Sequence, residues 1–100
     1  MNEMPLEERL ERFRNLLLIS HPGLWPAWPF LPLARRGPGA AYERGLLCDL
    51  WGLAGLPGYK ATVFRADLLR LHGRLQDLLL APREAFGTPE EVFAAGWRLD

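Results

Sequence analysis

The sequence predicts an α+β domain: an N-terminal helix, an antiparallel sheet of about three strands, and C-terminal helices packed on one face of it. Three observations lead there. An amphipathic helical pattern opens the chain, short apolar runs bounded by Gly and Pro occupy its middle, and a strong helix start stands at Thr88. No repeat or low-complexity tract interrupts this order, and 100 residues is the usual size of one domain, so residues 1–100 are expected to form a single unit.

The first helix is expected within residues 1–20. Leu6, Leu10, Phe13 and Leu17 recur at spacings of four, three and four, with Glu and Arg largely between them, which makes the helix amphipathic. Pro5 suits the first helical position, early acids suit the positive end of the helix dipole, and His21-Pro22-Gly23 stops the helix.

Residues 24–33 read Leu-Trp-Pro-Ala-Trp-Pro-Phe-Leu-Pro-Leu. Prolines at every third position forbid a helix, and the segment is expected to run extended, near polyproline II, entering an edge strand at Phe30 to Arg36. Gly37-Pro38-Gly39 marks a turn, and the run Tyr42 to Trp51 reads as a buried strand paired back across it. Gly52, Gly55, Pro57 and Gly58 make a loop, after which Thr62-Val63-Phe64 opens a third strand. Leu68, Leu71, Leu75, Leu78 and Leu79 have helical spacing up to Pro82. Thr88-Pro89-Glu90-Glu91 then combines an N-cap, a first-turn proline and a capping-box acid, and Gly96 ends that helix. Trp97 to Asp100 either returns to the sheet or packs against it.

Composition narrows the function classes. Twelve basic and twelve acidic residues cancel, which lowers the expectation of nucleic-acid binding, since phosphate recognition normally brings a basic excess. The uncharged residues 24–34 are too few and too proline-rich for a membrane helix, and the N-terminus carries acid where a secretory signal carries base. A lone cysteine, Cys48, fits a reducing compartment, so a cytoplasmic location without membrane association is expected. Eleven Arg against one Lys and few amides give a thermophile-like composition.

Candidate sites are few. Three residues per turn would align Trp25 and Trp28 on one face of the extended segment, with Phe30 on another. Exposed, these aromatics would suit a partner protein or flat ligand; buried, they would lid the sheet, the reading favoured for a small domain that needs all its core. Arg35 and Arg36 flank the turn and would hold a phosphate or carboxylate, or simply guard a strand edge. Ser20 beside His21 and Cys48 beside Asp49 are the nearest approaches to a nucleophile pair, but sequence neighbours rarely aim their side chains at each other, and the leucines around Cys48 predict an inert thiol. Asp49 and Asp67 lie in apolar stretches, where pairing with Arg44 or Arg65 inside the domain explains them, the alternative being a buried carboxylate pair facing one groove. His72 has Gln76 where a second metal-ligating His would stand. The glycines around Lys60 match no phosphate-binding loop. No catalytic residue, metal or cofactor is expected.

The strings beginning at His21 (His-Pro-Gly-Leu-Trp-Pro-Ala-Trp-Pro-Phe-Leu-Pro-Leu), Leu56 (Leu-Pro-Gly-Tyr-Lys-Ala-Thr-Val-Phe) and Ala95 (Ala-Gly-Trp-Arg-Leu-Asp) resemble segments of a family of small uncharacterised bacterial proteins of about this length. That resemblance implies a bacterial origin and carries over no activity, cofactor or site residue. The leading expectation is therefore a non-enzymatic protein-binding or self-assembly module, a homodimer being one form of it. The alternative is a small-ligand or enzyme domain with a pocket near Arg35, Arg36, His21 and Asp49.

Overall fold

A computed structural model of the chain describes residues 5–37, 39, 41–58, 60–66 and 80–100. The helix expected after Asp67 falls mainly on 67–79, outside the described residues, and so do Asp67 and His72.

Helix α1 spans Leu6–Ser20, with Glu7 and Glu8 in its first turn. A 3-10 turn at Pro22–Leu24 follows and leads to β1, Phe30–Arg36. Strand β2, Tyr42–Cys48, pairs back on β1 from Arg36↔Tyr42 at the turn to Phe30↔Cys48 at the open end. After the short helix α2, Leu50–Leu53, come β3, Ala61–Phe64, and β4, Arg83–Phe86. Helix α3, Pro89–Ala94, and β5, Arg98–Leu99, complete the order.

The fold is α+β, but among the described residues the sheet has five strands, in the order β4-β3-β2-β1-β5, with every pair antiparallel. The two strands beyond the expected three are short. Arg83-Glu-Ala-Phe and Arg98-Leu99 carry no alternating apolar pattern, and they join because β3 and β1 offer unpaired backbone edges to them. Strand β1 is consequently an interior strand, flanked by β2 and β5, and not the expected edge. Pro32 lacks an N–H, yet its carbonyl accepts from Asp100 N at 3.2 Å.

The expected extended run over 24–33 is also corrected. Trp28 N donates to Trp25 O (3.2 Å) and Phe30 N to Ala27 O (2.9 Å), so the chain turns at 26–29, with a cis Trp28-Pro29 bond, before β1 begins. Backbone hydrogen bonds available in a turn outweigh the polyproline preference of the prolines.

One face of the sheet, with Leu31, Leu33, Leu47, Ala61 and Val63, packs under Ile19, Trp25, Val92 and Trp97, so α1 and α3 cover the same side. The opposite face holds a second cluster of Leu46, Cys48 and Phe64, with Phe30, Leu50 and Ala66 against it. Gly45 decides how closely Trp97 approaches: a Cβ there would stand 2.8 Å from Val63 Cγ1 and 2.9 Å from the Trp97 ring. The helix start at Thr88 is realised, with Thr88 Oγ1 accepting from Glu91 N at 3.2 Å. Glu91 is the expected capping-box acid, but the N–H it accepts from is shifted by one residue, to Gly87.

Candidate interaction surface

The structure separates the residues that the sequence grouped. Trp25 is 4% exposed and its Nε1 donates to Leu18 O at 2.6 Å, whereas Trp28 is 47% exposed and its Nε1 donates to Asp49 Oδ2 at 3.0 Å. The turn at 26–29 destroys the threefold alignment that would have placed both on one face. Phe30 goes to the second apolar cluster. Asp49 is buried, and its other oxygen accepts from Gly52 N at 3.0 Å, capping α2. That carboxylate pins Trp28 and starts a helix; of the two arginines offered as structural partners, Arg44 pairs with Asp100 and Arg65 with Glu84. Around this corner Trp51, Leu53 and Leu56 are also exposed.

Arg35 and Arg36 are neighbours with different roles. Arg35 lies on the inner face, where it forms a two-pronged pair with Glu84 (Nη1 to Oε1 3.0 Å, Nη2 to Oε2 2.9 Å) and its Nε donates to Glu43 at 2.9 Å. Its guanidinium stands 4.3 Å over the Trp97 ring. Burial works against the Arg35 charge, but hydrogen bonds to Glu84 and Glu43 outweigh it and leave its pKa raised. The residue expected to guard an edge thus crosses the sheet from β1 to β4. Its neighbour, Arg36, points the other way, exposed, with its guanidinium 5.8 Å from the Tyr42 ring. Alternation along a strand forces this split.

A cleft of about 480 Å³ is lined by Arg35, Arg36, Tyr42, Arg44, Arg98 and Asp100 among others. Its cations have other employment. Arg44 pairs with Asp100, Arg35 with Glu43 and Glu84, and Arg98 donates to Phe93 O and Trp97 O at 2.8 Å each while stacking 3.5 Å from the Phe93 ring. Burial lowers the Arg98 pKa. His21 and Asp49 are not part of this cleft. Asp49 N donates to Pro29 O at the far end of the β1–β2 hairpin, about 20 Å of strand from Arg36.

Ser20 and His21 do aim their side chains at each other, against expectation, with Oγ and Nδ1 2.9 Å apart. The arrangement does not activate the hydroxyl. His21 Nδ1 also lies 2.8 Å from Leu17 O, which only accepts, so Nδ1 carries a hydrogen; Ser20 Oγ meanwhile donates to Leu16 O at 2.6 Å. Cys48 is fully buried, and burial, then the adjacent Asp49 carboxylate, pushes its thiol up to about 11. Thr62 is buried in β3, and Thr88 is committed to its cap. Among the described residues no three His, Cys, Asp or Glu gather to hold a metal ion, and no helix is long and apolar enough to cross a membrane.

The amphipathic helix expected at the N-terminus is present as α1, but its spacing does not tell what the apolar stripe faces. Leu6 is 68% exposed, Leu10 58%, Phe13 65% and Leu17 39%. The buried residues of the helix are Asn15 and Ile19, with Leu18 packed beside them. At about 100° per residue the two sets lie on opposite sides of the helix. Asn15 takes the inner position because it is doubly satisfied: its Nδ2 donates to Glu11 O and its Oδ1 accepts from Leu99 N, both at 2.7 Å, tying α1 to β5. A polar side chain with a specific job thus occupies the inner side of the helix.

Comparison with family models, curated proteins and solved structures yields no match to this chain.

Proposed function

We propose that this chain is a non-enzymatic protein-association module that works through the outer face of α1. The observation that carries the reading is the exposure of four large apolar side chains in one unbroken stripe, on a helix whose opposite side already supplies the core. Contiguous apolar exposure of this kind marks interaction sites in small proteins. Each such side chain gains roughly 1.5–3 kcal/mol when fully withdrawn from water, and these four stand partly withdrawn at most. Because α1 is already folded onto the sheet, a partner does not have to supply the cost of ordering it.

The polar candidates argue for the same reading by their engagement. Ser20, His21, Cys48 and Asp49 are held by backbone or buried, and no nucleophile with an activating base forms among the described residues. A small anionic ligand beside Arg36 has the volume of the cleft in its favour, but the other guanidiniums there are bonded elsewhere.

The test is site-specific photo-crosslinking in the native host, with p-benzoylphenylalanine in place of Phe13 or, as a control, the exposed Lys60. Protein adducts from position 13 and none from position 60 are expected. Absence of any protein adduct at position 13 would overturn the proposal.

A further inference from the structure

We infer that the partner of α1 is α1 of a second copy of this chain, packed antiparallel about a twofold axis. This rests on reading the outer face as an association surface and adds the identity and geometry of the partner.

The stripe has the spacing that such pairing needs. Leu6, Leu10, Phe13 and Leu17 follow one another at four, three and four residues, which is the d-a-d-a alternation of a helix-pairing seam. In an antiparallel pair each a residue faces a d residue of the partner. Leu10 then meets Phe13 of the second copy and Leu17 meets Leu6, so one set of contacts repeated by the twofold uses all four side chains. Among the described residues nothing covers the seam, since all four side chains are exposed and the sheet lies on the other side of the helix.

Charge selects the direction. Glu7 and Arg14 border the seam on one side, and Arg9 and Leu16 border it on the other. Antiparallel helices bring like flanks together, placing Glu7 against Arg14 of the second copy, twice by symmetry. On the other flank Arg9 meets Leu16, whose surface the aliphatic stem of an arginine covers. Parallel helices would instead oppose Arg9 to Arg14 on both sides, a like-charge contact with no relief. Glu7, Arg9 and Arg14 are all exposed. The remaining helix charges take no part: Arg12 stacks 5.1 Å from the Phe93 ring on the inner side.

Sedimentation equilibrium over a wide concentration range tests the pairing, with circular dichroism confirming that each variant is folded. Wild type should associate reversibly to a dimer, and Phe13→Gln should be monomeric throughout. Glu7→Arg and Arg14→Glu should each weaken the dimer by about tenfold, and the double variant Glu7→Arg/Arg14→Glu should return to within about threefold of wild type. Every substituted residue is exposed in the monomer, so loss of association does not reduce to loss of the fold. A wild type that stays monomeric, a dimer indifferent to Phe13→Gln, a tighter dimer for Arg14→Glu, as parallel pairing requires, or a double variant that fails to recover would each overturn the inference. A monomer whose position 13 still crosslinks to a different protein removes the self-pairing and leaves the association module standing; a monomer with no adduct there removes both.

Discussion

The two sides of α1 invert the usual distribution of polarity. The inner side buries an asparagine beside Ile19, and the outer side presents leucines and a phenylalanine to water. In the central strands of the sheet the ordinary rule holds: they bury Leu31, Leu33, Leu47 and Val63 on one face and Leu46 and Phe64 on the other. The contrast teaches that hydrophobic periodicity measures how one-sided a helix is, and not what lies against that side. A helix that among the described residues meets the sheet through Ile19, Leu18 and a bonded Asn15 leaves its longer apolar stripe exposed.

Substitutions on the two sides should therefore behave differently. The largest effect belongs inside: Ile19→Ala leaves a cavity in the main core and should lower the unfolding free energy by about 3 kcal/mol in a urea titration, at any protein concentration. Asn15→Ala strands the Leu99 N–H at the strand edge and should lower it by about 2 kcal/mol, with faster hydrogen exchange at Leu99.

A control away from both sides of the helix is Cys48, on the far face of the sheet. Its thiol is raised from 9.0 to about 11, so its contribution is complete below pH 9 and is lost as pH rises through 11, because the unfolded thiol ionises first. The stability of wild type relative to Cys48→Ala should fall by roughly 1–2 kcal/mol between pH 8 and pH 11 in paired denaturant titrations. The smallest effect on stability belongs outside. Leu10→Gln/Phe13→Gln should change the unfolding free energy of the dilute monomer by no more than about 0.5 kcal/mol. A loss there as large as that of Ile19→Ala would erase the distinction between the sides.

Arg35 and Arg36 repeat the lesson within two residues. Both look like turn-flanking cations in the sequence, yet Arg35 bridges Glu43 and Glu84 under Trp97 while Arg36 stays in solvent. Strand alternation makes the split legible, but the partners are not, because Glu84 lies 49 residues away and arrives only through the short strand β4. Trp25 and Trp28 fail for a related reason. The proline spacing specifies a conformation that the chain gives up for a turn, and burial of one indole and exposure of the other follow from where that turn delivers them. The exposed apolar stripe was present in the spacing from the start; what the spacing lacked was its orientation.

Sequence by itself determined what local forces settle: the span of α1, the hairpin strands around Gly37, the β-branched run of β3, the Thr88 cap and the stop at Gly96, whose φ of 97° only glycine adopts readily. These rest on dihedral preferences, periodicity and hydrogen bonds within a few residues. Tertiary structure alone decided the fourth and fifth strands, the interior place of β1, the Arg35 network and the outward turn of the leucines of α1. Each of those depends on which distant backbone edge or side chain is satisfied, and Asn15 shows how: its Oδ1 accepts at 2.7 Å from Leu99 N, 84 positions away, and so holds the Asn15 side of the helix against β5.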